Sequence, residues 1–95
     1  MKLGRSLAWT IKIEDSAAKE LKKIDKTDAR RILKFLDERV AMLENARSIG
    51  ESLKGPQLGN FWKYRVGDYR IICDIQDSVL LILVLRIGNR REIYR

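Results

Sequence analysis

Hydrophobic and polar residues alternate over residues 9–14 (WTIKIE), with Trp9, Ile11 and Ile13 on one side and Thr10, Lys12 and Glu14 on the other. A period of two predicts a half-buried strand. Asp15 and Ser16 then offer an N-cap to a helix whose Ala17, Leu21 and Ile24 share one face. Asp25, Lys26 and Thr27 interrupt it. Thr27 is placed to cap a second helix, along which Ala29, Ile32, Leu33, Leu36, Val40 and Leu43 recur at helical spacing. Its other face carries Arg30, Arg31, Lys34, Asp37 and Glu38. So short a link predicts an antiparallel helix pair.

Residues 45–60 (NARSIGESLKGPQLGN) hold three of the six glycines and the only proline, and read as a loop from the helices to a sheet. FWKYRV and YRIICDI then flank Gly67-Asp68, a two-residue hairpin signal. Gln76, Asp77 and Ser78 form a second turn. VLLILVLRI follows as a strand expected to be buried on both faces, and so either central in the sheet or covered by the helices. The tail GNRREIYR is polar and cationic. The predicted class is α+β. Residues 1–95 form one small domain, with an N-terminal strand and a helix hairpin on one face of a mostly antiparallel sheet.

The two-residue turn fixes the hairpin register. Val66 falls opposite Tyr69, Arg65 opposite Arg70, Tyr64 opposite Ile71 and Lys63 opposite Ile72. Trp62, Tyr64, Val66, Tyr69, Ile71 and Cys73 then share an apolar face suited to the helices. Lys63, Arg65 and Arg70 share the other, which is expected to stay open. Like charges facing across a ladder are unfavourable, and only Asp74 is near enough to relieve them. One reading is a solvated face whose long cations spread apart in water. The sharper one is a phosphate clamp, because guanidinium forks match phosphate oxygens. The tail adds Arg90, Arg91 and Tyr94. Tyr94 either packs on the sheet edge or offers a ring for a base, and cations beside an accessible aromatic suit single-stranded RNA.

Composition narrows the chemistry. The chain has 95 residues, 20 Lys plus Arg against 13 Asp plus Glu, and a net charge of +7, which favours a polyanionic partner. Without histidine there is no His general base and no His-ligated metal, and one cysteine makes neither a disulfide nor a thiolate zinc site. Cys73 is expected in the core, and a lone thiol suits a reducing cytosol. The longest apolar run, Val79 to Leu85, is far short of the ~20 residues that span a bilayer. No metal, cofactor or membrane is expected, and the location is expected to be cytoplasmic.

Taken together, the DSAAKELKKIDK opening, LKG before the sheet, FWKYRVGDYRIICDI and LRIGNRREIY resemble the RelE toxins of bacterial and archaeal toxin–antitoxin pairs, within the wider RelE/ParE superfamily. The resemblance covers nearly the whole chain. It implies a RelE-like, microbial-ribonuclease-like fold and a ribosome-dependent endoribonuclease that cuts messenger RNA in the ribosomal A site. It also implies a RelB-like antitoxin as partner, with operator DNA reached only through that antitoxin. Residue by residue, the family's paired sheet cations fall on Lys63 and Arg65, and the arginine of its Tyr-Arg pair on Arg70. The arginine after the Gly-Asn step falls on Arg90, with Arg91 as the alternative register, and the tyrosine of its Glu-x-Tyr ending on Tyr94. Lys54, Arg91 and Arg95 are expected to add RNA contacts. Arg65 departs from the family, since it stands where a lysine is proposed as general base and a guanidinium is a poor base.

The implied chemistry is attack of a 2′-hydroxyl on the neighbouring phosphorus, giving a 2′,3′-cyclic phosphate. Arg70 and Arg65 are assigned to the phosphate oxygens. Arg90 goes to the leaving oxygen, as electrostatic stabiliser and proton donor. Lys63, crowded by two guanidinium groups, is the expected base, and Tyr94 the stacking ring. The alternatives are a ParE-type inhibitor of DNA gyrase and a non-catalytic RNA-binding module.

Overall fold

The structure, a computed structural model, describes residues 8–53 and 61–89. Its elements are β1 (Thr10–Ile13), α1 (Asp15–Lys23), α2 (Lys26–Phe35), β2 (Glu51–Ser52), β3 (Phe61–Val66), β4 (Tyr69–Gln76) and β5 (Leu81–Asn89). The strands form one mixed sheet in the order β1-β5-β4-β3-β2. Only β1 and β5 run parallel, and the other pairs are antiparallel. This is the α+β layout expected, two helices on one face of a sheet, with a fifth strand, β2, beyond the four the sequence predicts.

The caps differ from expectation. Ser16 does not cap α1, because its hydroxyl donates to the Leu85 carbonyl at 2.9 Å. Asp25 rather than Thr27 caps α2, its carboxylate accepting the Thr27 amide at 3.0 Å. The helical spacing of residues 27–43 is interrupted too: α2 ends at Phe35 and a π-helical turn spans Leu36–Val40. There the Ala41 amide donates to the Leu36 carbonyl. The turn keeps Leu36 and Val40 buried and carries Asp37, Glu38 and Arg39 outward. Carbonyls left open beyond it are met by Trp9, whose amide donates to Ala41 and whose indole donates to Leu43.

The core lies between the helices and one sheet face. Ala17, Ile32, Leu36 and Val40 meet Tyr64, Ile71, Cys73, Ile82, Val84 and Ile87. Leu33, predicted to be core, is 42% exposed and lines a groove with Ile11 and Ile13. The strand expected to be buried on both faces is second of five in the sheet, and only one side is fully packed. Ile82, Val84 and Ile87 are buried, whereas Leu81, Leu83 and Leu85 are only partly covered. Its first predicted residue, Val79, belongs to a 3₁₀ turn, Asp77–Val79.

Beyond Ile13, the β1 side of β5 has no strand beside it among the described residues, and α1 lies there. Ser16 binds the Leu85 carbonyl, and the Glu20 carboxylate accepts the Ile87 amide at 2.8 Å and the Arg86 guanidinium at 2.8–3.2 Å. An otherwise bare strand edge is thus closed by side chains. Burial pushes the Glu20 carboxyl up, but the Arg86 hydrogen bonds, the Ile87 amide and the Arg86 charge together hold it below its ordinary value. Among the described residues no helix is long and apolar enough to cross a membrane.

Candidate nucleic-acid interface

The β3–β4 hairpin turns at Gly67-Asp68, with Gly67 at φ +58°. The register is the one the turn predicts: Val66↔Tyr69, Arg65↔Arg70, Tyr64↔Ile71, Lys63↔Ile72. Side-chain alternation therefore sets Lys63, Arg65 and Arg70 on one face, away from the buried Tyr64, Ile71 and Cys73. Those three hold the hairpin against the helices. The Tyr64 hydroxyl donates to the Ala46 carbonyl, and the Phe35 ring meets the Tyr64 ring edge-on at 6.2 Å. Burial pushes both the Tyr64 hydroxyl and the Cys73 thiol well above their ordinary values, which makes Cys73 a core residue as expected.

The cationic face is less open than the sequence suggests. Arg65 is exposed, but Arg70 is 5% exposed, and Ile72 beside it is buried as well. Arg70 sits on β4 between Arg65 on β3 and Gly88 on β5, so neighbouring strands flank it on both sides. The Lys63 side chain is 14% exposed, and its Nζ pairs with the Glu51 carboxylate at 3.2 Å.

Glu51 corrects the view that only Asp74 could relieve the cluster. The segment 45–60 was expected to be loop, yet Glu51 and Ser52 pair with Lys63 and Trp62 as a short outer strand. A two-residue strand has no periodicity to betray it. The pairing is long-range, and its local signal is Gly50, at φ +87°. A Cβ there would stand 2.5 Å from the Lys63 carbonyl and 2.6 Å from the Trp62 indole nitrogen, so only glycine lets β2 approach β3 so closely. The Trp62 indole fastens the approach by donating to the Ile49 carbonyl at 2.8 Å.

The structure thus brings together Lys63, Arg65 and Arg70, with Glu51 added. The expected contributions of Lys54, Arg90, Arg91, Tyr94 and Arg95 fall on positions outside the described residues. Among the described residues no three His, Cys, Asp or Glu side chains gather as a metal site. What the arrangement can do follows from charge. Two guanidinium groups and an ammonium face one way, and the carboxylate of Glu51, whose side chain is 59% exposed, stands beside them. Such a set can bind a phosphodiester and accept a proton next to it.

Comparison with known proteins bears on this geometry. The profile of a family described as the ParE toxin of type II toxin-antitoxin system, parDE, matches residues 11–94. No curated protein sequence matches the chain. Among solved structures, the RelBE2 toxin–antitoxin complex from Mycobacterium tuberculosis superposes with a TM-score of 0.79 at 19% identity, over 90% of this chain and 95% of that one. An archaeal RelE–RelB complex from Pyrococcus horikoshii gives 0.70 at 26% identity, over 90% and 98%. A mutant E. coli RelE toxin in the free state gives 0.70 at 25% identity, over 92% and 90%.

Proposed function

Because the chain belongs to the RelE/ParE family of type II toxin–antitoxin toxins, we propose that it is a ribosome-dependent endoribonuclease that cleaves messenger RNA in the ribosomal A site and so stops translation in the cytoplasm. The observation that carries this reading is the direct opposition of Arg65 and Arg70, with Lys63 on the same face. Apposed guanidinium groups suit a phosphate whose transition state gains negative charge.

In this mechanism the RNA's 2′-oxygen gives up its proton and bonds to the adjacent phosphorus. The bond from phosphorus to the 5′-oxygen breaks, and that oxygen takes up a proton. Arg65 and Arg70 hold the non-bridging oxygens. In the Lys63–Glu51 pair the ammonium donates and the carboxylate accepts. The largely exposed Glu51 carboxylate beside Lys63 is read as the proton acceptor in place of Lys63, the base expected from the sequence, which then positions that carboxylate and adds positive charge. Arg90 serves the leaving oxygen and Tyr94 stacks on a base. The ribosome contributes the in-line placement of the 2′-oxygen, so free RNA is cut slowly. A RelB-like antitoxin is the natural silencing partner, reaching operator DNA on the toxin's behalf.

Expression of the wild type in growing cells, followed by mapping of messenger RNA ends, tests the proposal. Cleavage within codons is expected, lost in Arg70→Ala and Tyr94→Ala. The family profile itself favours a second reading, inhibition of DNA gyrase, which predicts trapped gyrase–DNA complexes and intact messenger RNA.

A further inference from the structure

Among the described residues β2 pairs with β3 at Trp62 and Lys63, Leu53 adds a bond to Phe61, and a cleft of about 300 Å³ lies beside Tyr64 and Arg65. The cleft is lined by Phe35, Arg39, Gly50, Glu51, Lys63 and Arg65, among others. It wraps around the sheet edge. One wall is the cationic face, and the other is the end of α2 with the π-helical turn that carries Arg39 outward. Three of the six named residues are cations, and Glu51 is already engaged with Lys63. Arg39 and Arg65 enter none of the ion pairs among the described residues. Half-buried Phe35, held edge-on by Tyr64, supplies an apolar surface inside this charged setting.

We propose that this cleft is a second RNA subsite, which takes the phosphodiester and base of the nucleotide next to the one held on the Lys63–Arg65–Arg70 face, with Arg39 on the phosphate and Phe35 against the base. The inference rests on the reading of that face as an RNA surface. It adds Arg39, which lies far from the hairpin in sequence and has no place in the cleavage chemistry. Arg65 is common to both sites, so one strand passing over the β3 edge meets Arg70, Arg65 and Arg39 in turn. An aromatic surface with a guanidinium beside it is a sequence-tolerant way to hold single strands.

The test is binding of a single-stranded RNA oligonucleotide with blocked 2′-hydroxyls, followed by fluorescence anisotropy over a range of salt. Arg39→Ala is expected to weaken binding roughly tenfold, the scale of one charged hydrogen bond. It is also expected to flatten the salt dependence by about 0.7 of a counterion, the single-strand value for one phosphate contact. Arg30→Ala, in the separate groove between α2 and β1, is expected to match the wild type. Three results overturn the proposal: no binding by the wild type, an unchanged affinity and slope in Arg39→Ala, or an equal loss in Arg30→Ala. Retained RNA affinity with lost affinity for poly-glutamate also overturns it, and assigns the cleft to an acidic protein. The readout needs no cleavage, so failure of the nuclease reading in the cellular assay is scored separately.

Discussion

Two glutamates meet two cations at opposite sides of the sheet, and they do different work. Glu20 grips Arg86 through two nitrogens and also accepts the Ile87 amide, so every bond it makes closes the β5 edge. Glu51 pairs with Lys63 at 3.2 Å, on the side of the sheet that carries Arg65 and Arg70, and its side chain is 59% exposed. The first pair is saturated and structural. The second is largely exposed and stands beside positive charge, where the proposed mechanism needs a proton acceptor. Exposure and surroundings separate them, not residue type.

Substitutions test that separation, and the largest effect is expected at Glu51. Glu51→Gln keeps the shape and removes the proton acceptor, so ribosome-dependent cleavage should fall by roughly 10²–10⁴-fold, the usual worth of a general base. The melting temperature should stay within about a degree or two, since an exposed ion pair contributes little. A full-rate Glu51→Gln protein returns the base role to Lys63.

Gly50→Ala comes next. A left-handed backbone and a contact with the Lys63 carbonyl together cost about 2 kcal/mol or more. Denaturant unfolding should show that loss, and cleavage should fall with it because Glu51 is displaced.

Glu20→Ala should cost about 1–2 kcal/mol, the scale of charged hydrogen bonds partly open to water, with codon preference unchanged. The pH dependence gives the sign. The folded Glu20 carboxyl lies below its ordinary value of 4.5. Its contribution is therefore complete above that value and is lost as the pH falls through the lower folded one. Wild type and Glu20→Ala should converge in stability on acidification. The smallest effect is expected for Arg47→Ala, which removes an exposed pair with Asp77 and should leave both unfolding and cleavage unchanged.

Much of the candidate site is legible in the sequence because it is local. Gly67-Asp68 fixes a register, and the register fixes which side chains share a face; nothing more is needed to group Lys63, Arg65 and Arg70. Glu51 is not legible, since two paired residues inside a glycine-rich stretch carry no period and their partner strand lies beyond a long connection. The burial of Arg70 is hidden too, since alternation assigns a residue to a face without saying what covers that face. The helix caps failed because the chain spends Ser16 on a distant carbonyl, a tertiary contact that overrides a local preference.

The parallel pairing of β1 with β5 has a temporal consequence. Residues 10–13 emerge early in synthesis, yet the strand they need spans residues 81–89. Closing so long a loop is slow and comes late. Until translation has passed that point the sheet lacks one border, and α1 has no strand to lie against. A protein that disables ribosomes in the way proposed above cannot be armed until the ribosome making it has passed β5.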